Sequence, residues 1–193
     1  MEYRAIFCKI LRSQLWLLLL VSAFVSPLLA QKYEIKDSEM TFTSDAELEL
    51  ITARSDKVQG LIDPTTNKFA FYIDVKTFQG FNSALQRDHF NEKYMESDKF
   101  PRARFSGKII EPIDFSVDRS YDVRAKGELD IHGQKQTRII KSKITLRGGK
   151  IFVETIFFVP LSDHNISIPT IVNQKIATEI EVEFKATMSL QAL

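Results

Sequence analysis

Ile176-Ala177-Thr178-Glu179-Ile180-Glu181-Val182-Glu183-Phe184-Lys185-Ala186-Thr187-Met188-Ser189-Leu190 sorts its residues with a period of two. Ile176, Thr178, Ile180, Val182, Phe184, Ala186, Met188 and Leu190 share one face, while Glu179, Glu181, Glu183 and Lys185 share the other. A helix would stack Glu179 on Glu183 and scatter the apolar side chains around its circumference; a strand separates the two classes. The spacing predicts a strand over 176–190. At ~3.3 Å per residue such a strand runs about 50 Å, whereas a domain of this size has a radius of gyration near ~15 Å. It must therefore coil steeply. Antiparallel neighbours of similar length coil with it and close into a barrel, which also removes the bare edges that invite aggregation. The expected fold is all-β, an antiparallel barrel of about eight strands.

The rest of the chain supplies those neighbours. Asp122–Ile131 places Val123, Ala125, Gly127, Leu129 and Ile131 opposite Asp122, Arg124, Lys126, Glu128 and Asp130. Lys68–Lys76 sets Phe69, Phe71, Ile73 and Val75 against Lys68, Asp74 and Lys76, and Arg102–Ile110 sets Ala103, Phe105, Gly107 and Ile109 against Arg102, Arg104 and Lys108. Thr137–Arg147 alternates in the same way. Lys150–Val159 is apolar on both faces, with Phe152, Ile156 and Phe158 opposite Ile151, Val153, Phe157 and Val159, so a cover is expected over its outer side. Shorter strands are expected at Glu39–Ser44, Leu48–Ala53 and Val58–Ile62. Turn signals separate these runs at 63–67, Pro112, His132-Gly133-Gln134 and Gly148-Gly149. The exception to period two is Phe81–Ser97. Ser83 followed by Gln86 fits a capping box, and Phe81, Leu85, His89 and Tyr94 form a short stripe, so a helical insertion is expected at about residues 82–96, ended by Pro101.

Of the 193 residues, the first 30 read as a signal peptide. Arg4, Lys9 and Arg12 form a basic start, Leu15 opens an apolar run, and Leu28-Leu29-Ala30 ends on a small residue. The uncharged stretch from Ser13 to Ala30 is 18 residues, the lower limit for a membrane span, so a retained anchor is the alternative. Cys8 precedes the apolar run and is not placed as a lipoprotein cysteine. Removing residues 1–30 leaves 163 residues with 23 basic and 24 acidic side chains, a net charge of −1. The single Cys and single Trp leave with them. Residues 31–193 are then one thiol-free domain, which excludes disulfide staples, thiol chemistry and Cys-ligated metal in a periplasmic or secreted setting. Near-neutral charge gives no footing for nucleic acid. No stable membrane span is expected once the signal is cleaved, and the sequence leaves monomer and homodimer both open.

The inward-facing residues are aromatic and aliphatic. An eight-stranded barrel is just wide enough to be filled by side chains or to hold one small ligand, and the residues alone leave both readings open. In the hollow reading, Phe69, Phe71, Ile73, Phe105, Val123, Leu129, Ile180 and Phe184 contact an apolar tail. In the filled reading the same residues are core, and the protein is a solid-cored interaction module whose Arg102, Arg104 and Lys108 stripe, with little acid nearby, docks a partner. No catalytic constellation is present: Ser162-Asp163-His164 carries the letters of a triad, but adjacent residues do not converge. The three His lack metal-ligand spacing, and no cofactor is expected. His132 before Gly133 reads as a turn residue.

Three stretches together resemble the YceI-like family of exported, lipid- or polyisoprenoid-binding proteins. They are Arg87-Asp88-His89-Phe90 through Lys99-Phe100-Pro101-Arg102-Ala103-Arg104-Phe105, Tyr121-Asp122-Val123 through Gly127-Glu128-Leu129-Asp130-Ile131-His132-Gly133, and Phe158-Val159-Pro160-Leu161-Ser162-Asp163-His164-Asn165-Ile166. In the last, His164-Asn165 stands where the family has Phe-Gly. The resemblance implies a lipocalin-like barrel with a helix near its mouth and an elongated apolar cavity. It also implies an exported binding protein for an isoprenoid, quinone or fatty-chain amphiphile whose head group faces the mouth. Arg87 and His89 are then candidates for the head group, the other reading being that they pack the helix on the barrel.

Overall fold

The computed structural model describes residues 31–191; the segment read as a signal peptide lies outside the described residues. Nine strands follow one another: β1 (Tyr33–Asp45), β2 (Leu50–Ser55), β3 (Gln59–Asp63), β4 (Lys68–Asp74), β5 (Arg102–Ile109), β6 (Ser120–Ile131), β7 (Gln134–Arg147), β8 (Lys150–Pro160) and β9 (Glu179–Leu190). From β3 to β9 each pairs antiparallel with the next, and β9 pairs with β1 to close the barrel. β2 and β3 both pair with β1 in one continuous register, Met40 opposite Ser55 and Tyr33 opposite Ile62. They are two halves of one interrupted strand, so the barrel has eight staves, as the alternation predicts.

Two boundaries differ from the sequence expectation. β9 starts at Glu179, because the Thr178 carbonyl accepts from the Leu161 N–H and belongs to the connection before the strand. β1 starts at Tyr33, well before Glu39. Its pairing with β9 shifts between Ile35 and Asp37, and this bulge moves the inward phase from Tyr33 and Ile35 to Ser38, Met40, Phe42 and Ser44.

One end of the barrel is closed. Ile62, Ile151 and Met188 are fully buried there, and the connection between β5 and β6 folds beneath them, stacking Phe115 on Tyr33 with ring centroids 5.9 Å apart. The β7–β8 turn is Gly148-Gly149, with φ of 59° and 73°; the β6–β7 turn is His132-Gly133, with φ of 53° and 70°. Two consecutive left-handed residues match the twist of a two-residue hairpin.

The helical insertion spans the other end. α1 (Ala84–His89) is capped by the Ser83 hydroxyl, which accepts from the Gln86 N–H, while the Gln86 side-chain Oε1 accepts from the Asn82 N–H. It runs into a π turn at Phe90–Tyr94, where the Met95 N–H bonds the Phe90 carbonyl. The expected insertion is present, with Leu85 exposed at the edge of the cavity. The expected cover over β8 is not: Arg147 lies over the Phe152 ring, but Ile156 and Phe158 are 57% and 53% exposed. No helix among the described residues is long and apolar enough to cross a membrane.

Candidate functional site

Inside the barrel lies a cavity of about 500 Å³, within the range of small-ligand pockets. Its wall is the inward set of the alternating strands. Phe69, Phe71 and Ile73 come from β4, Phe105 from β5, Val123 and Leu129 from β6, and Ile180 and Phe184 from β9; all eight residues proposed from the alternation line it. The rings of Phe69 and Phe105 lie 4.9 Å apart by centroid, and Phe71 meets Phe184 at 5.8 Å. The filled-barrel expectation is corrected by this space: Ala103, Ala125, Gly107 and Gly127 present little or no side chain on the inward face. Gly107 and Gly127 sit opposite one another, and a Cβ on either would overlap the backbone of the facing strand.

Other parts of the wall were not among the eight residues proposed for the tail. Met40 and Phe42 lie on β1 beyond the bulge. Phe78, Phe81 and Phe90 form an aromatic cap with Phe42, whose ring is 5.1 Å from Phe78 and 5.2 Å from Phe90. Ile140, Ser142, Thr155 and Phe157 line the opposite side. The run of five Phe between 69 and 90 was the available signal for the cap, but the loop and helix geometry that converges them carries no period.

At the mouth the wall becomes polar, with Ser44, Glu49, Ser83, Gln86, His89 and Lys175. Glu49 accepts from the Gln86 side-chain amide at 3.0 Å, and Asn82 donates to the Leu50 carbonyl at 3.0 Å, so the insertion is tied to the β1–β2 turn. His89 lines the mouth, and its Nε2 lies 3.1 Å from the Lys93 ammonium. Arg87 does not join it. Its guanidinium donates to the Lys76 carbonyl at 3.2 Å, outside the cavity wall, which is the helix-packing contact of the alternative reading. Lys175, missed in the sequence, has no carboxylate within ion-pair distance among the described residues.

Behind the insertion, His132 bonds both ways, with Nε2 2.8 Å from a Glu96 carboxylate oxygen and Nδ1 3.0 Å from the His164 carbonyl. His132, Glu96 and Asn165 all hold left-handed φ, at 53°, 42° and 54°. His164 is fully buried, its Nδ1 bonds the Gln134 carbonyl, and Nε2 has no partner among the described residues. Burial pushes its pKa below the ordinary value of 6.5. Asp163 pairs with Arg138 at 2.7 Å rather than with His164, so this segment is a structural junction between β7 and β8. On the Arg102, Arg104 and Lys108 stripe, Asp74 bonds Arg102 at 2.7 Å and Asp130 faces Arg104 across the ladder, while Lys108 lies between Lys68 and Lys126. Among the described residues no three His, Cys, Asp or Glu converge as metal ligands.

The family model described as the YceI-like domain matches residues 33–188. Among solved structures, a polyisoprenoid binding domain from Saccharophagus degradans superposes with a TM-score of 0.68 at 20% identity, covering 82% of this chain and 98% of that one. BcnA of Burkholderia cenocepacia gives 0.64 at 17% identity, covering 78% and 95%. The YCEI protein of Campylobacter jejuni gives 0.51 at 16%, covering 83% and 85%. At these identities the likeness establishes the fold. Among curated protein sequences nothing matches.

Proposed function

The chain belongs to the YceI-like domain family, and from that premise we propose that it is an exported binding protein that holds an isoprenoid, quinone or fatty-chain amphiphile in its barrel. The observation that carries this is the cavity, apolar along its depth and polar at one end, with the other end plugged by Ile62, Ile151 and Met188. Such a gradient suits a molecule with a hydrocarbon tail and one polar head. The solved S. degradans neighbour is described as polyisoprenoid binding, which supports the same class of ligand here.

Phe69, Phe71, Ile73, Phe105, Val123, Leu129, Ile180 and Phe184 contact the tail, and His89 meets the head together with Lys175. Lys175 adds a positive charge that favours an anionic head. Micromolar binding requires about 8 kcal/mol, and each buried CH₂ contributes about 0.8 kcal/mol. A tail of a dozen or so carbons therefore suffices after association costs. The protein acts by sequestration, without bond making.

The test is native mass spectrometry of the purified protein, followed by organic extraction. A lipid-sized molecule is expected in both. Protein recovered empty, and unable to take up prenyl or fatty probes, refutes the reading.

A further inference from the structure

We propose that the hydrocarbon tail enters the barrel sideways, through a seam between β7 and β8, with Ile139, Ile156 and Phe158 as its outer lips. This rests on the cavity-binding reading above. β6 pairs with β7 from Ser120/Thr145 to Ile131/Gln134, and β8 pairs with β9 from Lys150/Ser189 to Pro160/Glu179. β7 and β8 pair only from Arg147/Lys150 to Lys143/Glu154. Beyond that level no ladder pair joins them among the described residues. The Thr155 hydroxyl donates to the Lys141 carbonyl at 2.7 Å where the ladder stops. At the rim the gap is spanned by side chains, Gln136 to the Asp163 carbonyl at 2.8 Å, Arg138 to the Asp163 carboxylate at 2.7 Å and the buried His164 Nδ1 to the Gln134 carbonyl at 3.1 Å. Opening the seam therefore breaks side-chain bonds and no backbone ladder.

Apolar residues stand on both sides of the seam. Ile140 and Phe157 line the cavity behind it, and in front Ile139, Ile156 and Phe158 are each more than half exposed. On the neighbouring β9 the outward row is acidic at Glu179, Glu181 and Glu183. An outer groove over β6–β9 shares Val123, Ser142, Thr155 and Phe184 with the cavity wall, so groove and cavity back onto each other where the ladder ends. Of the three lips, Ile156 also lines that groove, beside Lys141, Lys143, Glu154 and Glu183. The mouth, by contrast, is roofed by the aromatic cap and tied down by Glu49, Gln86 and Asn82.

Continuing the register of Lys143 opposite Glu154 places Lys141 opposite Ile156. The test is a Lys141→Cys/Ile156→Cys double variant in a Cys8→Ser background, loaded with cis-parinaric acid in a stopped-flow fluorimeter. The oxidised form is expected to load at least tenfold more slowly than the reduced form and to reach the same final occupancy. Equal rates in a chain verified by mass as oxidised overturn the seam and leave the cavity reading intact. A wild-type chain that never takes up the probe overturns the cavity reading and the passage with it. Phe158→Asp gives an independent check: loading slowed at least threefold at unchanged occupancy supports the lips, and an unchanged rate overturns them.

Discussion

Ala103→Phe separates a hollow barrel from a filled one. Ala103 faces Ile73 across the β4–β5 ladder and lines the upper cavity. A benzyl group there projects into the space assigned to the tail. Its six ring carbons displace a similar number of ligand carbons, and at ~0.8 kcal/mol per CH₂ the full loss is about 5 kcal/mol. If the ligand slides to recover half of that, ~2.5 kcal/mol remains, a rise in Kd of about sixtyfold. Stability carries the opposite information. In a filled core the same substitution is overpacking and costs about 1–3 kcal/mol; in the cavity the ring meets free volume, and unfolding free energy is expected to hold or rise. Fluorescence titration with a fatty probe reads the first quantity and urea unfolding the second. A folded variant that binds the probe as tightly as wild type refutes the site. One that loses ~2 kcal/mol of stability refutes the cavity.

The buried His164 predicts a pH slope. Its folded pKa is depressed, so the unfolded chain takes up a proton first; its stabilising contribution is complete above about pH 6.5 and is lost as pH falls below that value. His164→Asn, whose amide can still donate to Gln134, is expected to flatten the slope in urea unfolding between pH 7.5 and 5, and parallel slopes would count against a buried neutral imidazole. Gly107→Ala places a Cβ against the Lys126 carbonyl and is expected to cost more than ~2 kcal/mol. Gly148→Ala meets no atom and is expected to cost only the left-handed backbone penalty of about 1–2 kcal/mol; equal melting shifts for the two would refute the close approach of β5 and β6. Ser83→Ala removes the cap of α1 and is expected to cost about 1 kcal/mol locally, read as faster amide exchange over residues 84–89, with unchanged exchange arguing that the barrel alone holds the helix.

The strands with unbroken alternation were legible because each inward residue reports its own phase, which is why the eight residues read as inward on β4, β5, β6 and β9 all stand on the cavity wall. The first half of β1 was not legible, since the bulge after Ile35 reverses the phase midway and leaves two short runs that read as no strand. Arg87 and His89 are two residues apart on a short helix, too close in sequence to share a face, and the fold sends one to the Lys76 carbonyl and the other to the mouth.

The sequence by itself determined the class of fold, the direction side chains take on the strands with unbroken alternation and the apolar chemistry of the interior, because all three follow from local period. Only the tertiary structure decided whether that interior is filled, which polar groups stand at its opening, and where the β7–β8 ladder stops. Those depend on how eight staves close around a common axis. Closure leaves a cavity beside Ala103 and Ala125, brings Lys175 to His89's end of the barrel, and lets β7 and β8 part above Lys143 and Glu154. Volume and ladder length are properties of paired strands, and no single strand encodes them.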